Sequence, residues 1–260
     1  MPQTMHSTNF YSLVHDDVQK IRRQTVAIIG GGGKSSLLKR LARELLEEHL
    51  RVIVTSTTKF QAFPKMRLVL QKNNPAYLEE VEARLDEAQI ALVASDYHKA
   101  KSRLLGVDTA TISQLKKHAD IVLIEADGSR QRGLKTHRDY EPVIPKYTKT
   151  VIIICSADIV GESLGDDKVH RAELFARKWK LSLGAILTPE IIARELLSPH
   201  GYMRNVPIKA KVIIFINKSD RNSVGGKLLA ERLVNGTDFP VFLGSLKRGR
   251  LERVTLNSTI

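Results

Sequence analysis

The residues best equipped for chemistry are Gly30-Gly31-Gly32-Gly33-Lys34-Ser35-Ser36, which follow an apolar run and open an amphipathic stretch. Glycines let backbone N–H groups converge on one anion, a helix N-terminus adds partial positive charge, a lysine reaches the outer phosphates and a hydroxyl binds Mg²⁺. Against the pattern G-x-x-x-x-G-K-[ST] the first glycine falls on Ile28, so this loop is the shorter G-x-x-G-K-S. A second series, Asp120-Ile121-Val122-Leu123-Ile124-Glu125-Ala126-Asp127-Gly128, ends an apolar strand in acids. Carboxylates there hold Mg²⁺ directly or through water, and Glu125 and Asp127 are both candidates. The third series, Asn217-Lys218-Ser219-Asp220, follows the run Val212–Ile216. In N-K-x-D the Asp accepts from the guanine N1–H and exocyclic amine while the Lys stem covers the base. Adenine presents a different edge, so GTP is favoured over ATP with both kept open.

Three flanking segments extend this set. Thr55-Ser56-Thr57-Thr58-Lys59 leaves a strand, which makes Thr57 a candidate metal hydroxyl and sets Lys59 near a terminal phosphate. The segment 129–138 holds Arg130, Arg132, Lys135, His137 and Arg138, directly after the proposed metal acids, and reads as a second anion site. Within it Arg130 or Lys135 could stabilise charge developing on a transferred phosphoryl group. His170-Arg171 opens a helix candidate and could face the same cleft.

The elements that must carry these groups alternate. Apolar runs at Thr25–Ile29, Val52–Val54, Leu68–Leu70, Ile90–Val93, Ile121–Ile124, Val151–Ile154 and Val212–Ile216 read as strands buried on both faces, and Phe239–Leu243 as the last of them. Between them lie helix candidates at Lys34–Glu48, Pro75–Glu87, Thr109–Ala119, His170–Leu181, Pro189–Leu197 and Gly225–Leu233, with starts at Asp108 and Thr188-Pro189. The pattern implies an α/β fold, three-layered and P-loop NTPase-like, with a mainly parallel sheet. Residues 1–20 read as an N-terminal extension and 21–260 as a single P-loop nucleotide-binding domain. The longest irregular piece, Gly128 to Pro145, is of a length that is more often functional than idle.

Composition narrows the function classes. The chain has 260 residues and a net charge of +13, from 41 Lys+Arg against 28 Asp+Glu. Its one cysteine, Cys155, sits in an apolar run, which excludes an internal disulfide and a cysteine metal cluster and points to a reducing compartment. The N-terminus lacks an apolar signal region and no apolar stretch approaches the roughly 18 residues of a membrane span, so a soluble, cytoplasmic protein is expected. The positive balance calls for an anionic partner. Few aromatics (5%) and the lack of a helix-turn-helix or RNP-like pattern speak against nucleic acid.

Taken together, Gly30–Ser35, Thr55–Lys59, Glu125-Ala126-Asp127-Gly128-Ser129-Arg130, Glu141-Pro142-Val143-Ile144-Pro145, Val169-His170-Arg171 and Asn217–Asp220 resemble the YqeC family, over about Gln24 to the C-terminus. The shortened loop also resembles that of Mur ligases and folylpolyglutamate synthases, and Glu-x-x-Gly resembles the metallochaperone branch of P-loop GTPases. The family resemblance implies an Mg²⁺-dependent nucleotide-binding accessory protein that helps mature a selenium-dependent molybdenum hydroxylase, with that hydroxylase or its cofactor-assembly proteins as partner. Here Ser35-Ser36 stands where Thr-Thr or Thr-Ser is more usual in the family, which keeps a metal-binding hydroxyl. Three other readings stay open: a phosphoryl or nucleotidyl transferase whose small anionic acceptor is held by Arg130, Arg132 and Lys135, a basic nucleic-acid-binding protein, and an interaction scaffold that binds nucleotide without turning it over.

Overall fold

Along the central strands successive side chains fall on opposite faces, and both faces are buried. Val26, Ile28, Leu123, Ile152, Ile154 and Phe215 join one apolar cluster, while their neighbours Ala27, Ile29, Val122, Ile153 and Ile214 join the other. A sheet covered on both sides accounts for the continuous apolar runs in the sequence. The computed structural model describes residues 4–7, 9–63, 66–98, 100 and 103–256.

The strands in chain order are β1 (Thr4–Ser7), β2 (Gln24–Gly30), β3 (Val52–Ser56), β4 (Leu68–Leu70), β5 (Ile90–Ala94), β6 (Asp96–His98) and β7 (Arg103–Leu105), then β8 (Ile121–Glu125), β9 (Leu134–Lys135), β10 (Thr150–Ser156), β11 (Val169–His170), β12 (Lys211–Asn217), β13 (Val241–Ser245) and β14 (Arg250–Val254). The helices are α1 (Lys34–Glu47), α2 (Tyr77–Ala88), α3 (Thr109–Leu115), α4 (Ala172–Trp179), α5 (Pro189–Leu196) and α6 (Ser223–Val234). The main sheet runs β1-β14-β13-β12-β10-β2-β8-β3-β5-β4. From β13 to β4 every pairing is parallel, and only the β13–β14 and β14–β1 pairings are antiparallel. This is the α/β architecture with a mainly parallel sheet expected from the sequence. No helix among the described residues is long and apolar enough to cross a membrane.

One face is covered by α1, through Leu37, Leu38, Leu41 and Leu45, together with Phe10 and Leu13 near the N-terminus. The other is covered by α2 to α6, through residues such as Leu85, Ile112, Phe175, Ile192 and Leu229. With β2 central, the strands on one side of it end at Asn217 and Ser245 and those on the other at Ser56 and Ala94. Ligands in open α/β sheets bind at this carboxyl edge.

The starts at Asp108 and Thr188 are as read: each side chain accepts a hydrogen bond from a first-turn amide. Four sequence expectations need correction. The helix expected to reach Ala119 stops at Leu115, because Lys117 and His118 donate to Gln114 O and Leu115 O in tight turns. The helix expected from His170 begins at Ala172. His170 instead pairs with Lys135 as the β11–β9 ribbon, and Arg171 adopts φ +70°, which helix backbone does not allow. That ribbon also orders part of the segment expected to be irregular. Finally β13 is followed by β14, which reverses and pairs with it.

The Phe10 ring stands edge-on to Phe215, centroids 5.9 Å apart, and the Arg40 guanidinium lies 5.2 Å above it. Glu44, also on α1, accepts from Tyr11 N at 3.0 Å. Truncating a buried ring costs about 3–5 kcal/mol. Phe10→Ala is therefore expected to lower the melting temperature by roughly 10 °C, measured by calorimetry.

Candidate functional site

Between β2 and α1 the backbone is shaped by glycine. Gly32 has φ +84° and Gly33 φ +142°. A β-carbon on Gly33 would come within 2.5 Å of Asn217 Nδ2, and one on Gly32 within 2.6 Å of Ser156 Cβ. Only glycine meets both demands. Gly33 is also the N-cap of α1 and has no side chain to accept from the first-turn amides. Those amides and the positive end of the helix dipole open onto a cleft of about 1540 Å³ lined by Gly32, Gly33, Lys34, Ser35 and Ser36. Gly30 and Gly31 lie behind it, against Ile154 O and Arg132 O.

Behind the loop is a buried ionic network. Asp127 is fully enclosed. Its Oδ2 accepts from Gly30 N at 2.9 Å and from His137 Nε2 at 2.6 Å, and its Oδ1 lies 3.1 Å from Lys34 Nζ. Lys34 Nζ donates to Gly30 O at 2.5 Å and to Ser129 Oγ at 2.8 Å. Burial by itself would raise the Asp127 carboxyl, but the Lys34 and Lys135 ammoniums and the His137 hydrogen bond hold it well below the ordinary range. Burial lowers His137, and because it faces an ionised carboxylate its Nε2 carries the donated proton.

The two candidate metal acids are thereby separated. Asp127 is not on the cleft wall, whereas Glu125 is. Ser35 Oγ donates to Glu125 Oε2 at 2.9 Å, which sets one hydroxyl and one carboxylate side by side next to the loop. Burial pushes the Glu125 carboxyl up and Lys34 opposes the shift. Thr57 lies elsewhere: its hydroxyl donates to Val143 O at 2.8 Å and does not reach the cleft.

On the opposite side of β2, Asn217 Nδ2 donates to Gly32 O at 2.7 Å and its Oδ1 accepts from Leu246 N at 3.0 Å. Asn217 thus ties the glycine loop to the turn after β13. Asp220 is exposed at the cleft, and a hydrogen bond with Ser245 lowers its carboxyl. Lys218 Nζ is paired with Asp158 Oδ2 at 3.1 Å, and Arg221 joins it at 3.2 Å.

The proposed second anion site on segment 129–138 does not assemble. Lys135 is fully buried, 3.1 Å from Glu141 Oε1 and 3.7 Å from Asp127 Oδ2. Two buried carboxylates already neutralise it and it is off the cleft wall, whereas Lys34, also paired with Asp127, is on that wall. Arg132 is off the cleft wall and exposed Arg138 bonds to Tyr140. Arg130 is exposed on the cleft wall with φ +49°. His170 and Arg171 also line the cleft; Arg171 is engaged with Thr136 O and the Glu141 carboxylate. Lys39, Phe60, Phe63 and Arg103 line the cleft too and were not found by sequence reasoning. Only the three-residue spacing from Ser36 to Lys39 on α1 marked the first, since that spacing shares a helix face.

This geometry defines an α/β protein with a glycine-rich anion loop at the centre of a parallel sheet. A family model described as YqeC protein matches residues 26–173, and the chain belongs to that family. It is 28% identical over 240 residues to the Escherichia coli (strain K12) uncharacterized protein YqeC, covering 91% of this chain and 93% of that one. Among solved structures, chloroplast FtsY from Physcomitrella patens overlaps at 13% identity with a TM-score of 0.41, over 90% of this chain and 65% of that one. FtsY from Elizabethkingia anophelis in complex with GDP overlaps at 14% and 0.40, over 93% and 66%. The hydrogenase maturation factor HypB from Archaeoglobus fulgidus overlaps at 16% and 0.33, over 93% and 92%. The chain thus spans about two thirds of the length of the FtsY structures.

Asp127→Asn keeps the shape and removes the charge that faces two buried lysines. Breaking a buried pair costs about 3–5 kcal/mol, and chemical denaturation should read that loss. Acid should also weaken the fold in two stages. Burial and the neighbouring Arg171 and Lys135 charges bring His170 down to about 4 from 6.5, so the unfolded chain takes up the proton first and stability falls as pH drops through that window. Glu141, brought down to about 2 from 4.5 against the effect of burial by Arg171 and Lys135, adds a second loss between those values. In urea titrations His170→Gln should reduce the slope of the first stage without abolishing it, because His137 shifts the same way.

Proposed function

We propose that this protein binds a nucleoside triphosphate with Mg²⁺ at the carboxyl edge of β2, β8 and β12, and uses it in an accessory step in the maturation of a selenium-dependent molybdenum hydroxylase. The observation that carries the nucleotide reading is the convergence of uncapped α1 amides, the Gly32–Gly33 cradle, Lys34 and the Ser35–Glu125 pair on one cleft. Phosphates suit the amides and the lysine, since both are fixed in place before any ligand arrives. Ser35 and Glu125 are the groups that would hold Mg²⁺, which when bound supplies charge neutralisation on the phosphates. Asp127 holds the loop and Lys34 in position, and Arg130 is the cation available to developing phosphoryl charge.

Guanine is the favoured base. Supporting this are Asn217, bonded both to the phosphate loop and to the turn at Leu246, and Asp220, restrained by Ser245 at the cleft. The accessory role for a molybdenum hydroxylase rests on the family to which the chain belongs. Direct sulfur or selenium transfer by Cys155 is disfavoured, because burial pushes its thiol up to about 12.

A titration with fluorescent GTP and ATP analogues tests the reading. Wild type is expected to bind both with Mg²⁺, GTP more tightly, and Asp220→Ala to lose the difference. Lys34→Ala should weaken binding about 100-fold, close to 2.7 kcal/mol. Because Lys34 is buried, Ser35→Ala on the cleft wall supplies a fold-neutral check and should lose the Mg²⁺ dependence. No binding by wild type, or unchanged binding in both variants, refutes the proposal.

A further inference from the structure

The cleft is larger than a nucleotide needs, and its two halves differ in chemistry. Single-ligand pockets run to about 300–1,000 Å³, against about 1540 Å³ here. With β2 at the centre, the half beyond β12 and β13 carries Asn217, Asp220 and Ser245. The half beyond β3 and β5 has no part in the nucleotide reading. Its floor and wall come from the β3–β4 connection, the β6–β7 hairpin and the outer face of α1.

Those three pieces are joined. Phe60 N donates to Leu104 O at 3.0 Å and Leu104 N to Phe60 O at 2.9 Å, which fixes the hairpin against the β3–β4 connection. Phe60 and Phe63 pack with centroids 6.4 Å apart, and the Lys39 ammonium of α1 lies 4.9 Å from the Phe63 ring centre. Arg103 lies one residue before Leu104 and faces the cleft half-buried. It has no hydrogen-bond or ion-pair partner among the described residues, and its charge acts on Glu125. A half-buried guanidinium that no carboxylate pairs directly, beside an exposed ammonium and over an apolar floor, is suited to a phosphate or carboxylate attached to an apolar body.

We propose that this half of the cleft is a second ligand site, formed by Lys39, Arg103 and the Phe60–Phe63 floor, for a small molecule that carries a phosphate or carboxylate on an apolar, aromatic body. The site replaces the anion site that the sequence indicated at Arg132 and Lys135. As the acceptor or cargo subsite of the same cleft, it rests on the nucleotide reading for its biological role but not for its binding. The cleft-facing edges of the buried Phe60 and Phe63 rings and the Lys39 stem contact the body, and Arg103 holds the anionic group.

The probe is 1-naphthyl phosphate, titrated calorimetrically into the full chain with and without a saturating non-hydrolysable GTP analogue and Mg²⁺. One site of sub-millimolar affinity is expected in both conditions. Arg103→Ala and Lys39→Ala, at positions outside the core, should each weaken it about tenfold, and Lys39→Ala should leave fluorescent-nucleotide affinity within about twofold. Separately, 1-naphthol and inorganic phosphate should each bind at least about tenfold more weakly than the joined probe. Absence of binding, competition with the nucleotide analogue, or indifference to both substitutions overturns the proposal. If nucleotide fails to bind while naphthyl phosphate binds in an Arg103-dependent way, the nucleotide reading falls and this one stands.

Discussion

Asp127 is wholly enclosed, and a charged carboxylate there is tolerable only because Gly30 N, His137 Nε2, Lys34 and Lys135 surround it. Those partners come from three parts of the site. Gly30 ends β2, Lys34 starts α1, and Lys135 and His137 lie on the segment that leaves β8. One side chain therefore fixes the relative positions of the phosphate loop, its lysine and the basic segment. Glu141 extends the network by pairing with Lys135 and Arg171, and through Arg171 it reaches the start of α4.

The same network sorts the positive charge of the chain. Of the cations that sequence reasoning gathered near the loop, Lys34, Lys135 and Arg171 face buried carboxylates and Lys218 faces Asp158. Arg130 remains exposed on the cleft wall, joined by Lys39 and Arg103. The excess of +13 is thus partly internal: it balances acids that themselves position the loop, and only a fraction of it is presented to a ligand.

Much of the fold was legible. The main-sheet strands from β2 to β12 were readable because both faces of a parallel sheet exclude water, which leaves unbroken apolar runs in the sequence. Helix starts at Asp108 and Thr188 were readable because capping is local chemistry. Helix ends at Leu115 and before Ala172 were not. At the first, side-by-side turns at Lys117 and His118 end the helix without a glycine or proline to mark it. At the second, pairing of His170 with Lys135, 35 positions away in the chain, overrides local propensity. The hairpin β6–β7 escaped notice for a related reason: three-residue strands carry too little periodicity to register.

The sequence by itself determined the glycine-rich loop between strand and helix, the hydroxyl that follows its lysine, and the presence of two acids at the end of β8. These are local, since each depends on residue type and on neighbours a few positions away. It left undivided the work of Glu125 and Asp127, which share spacing and chemistry. Tertiary structure separated them: the pleat turns Glu125 toward Ser35 and the cleft, while Asp127, past the strand end, falls behind the loop among Lys34, Lys135 and His137. Lys135 and Arg130 were divided in the same way, one paired in the interior and the other exposed on the cleft wall. Burial and partner are set by packing between segments distant in sequence, and for a charged side chain those two quantities decide whether it braces the fold or meets a ligand.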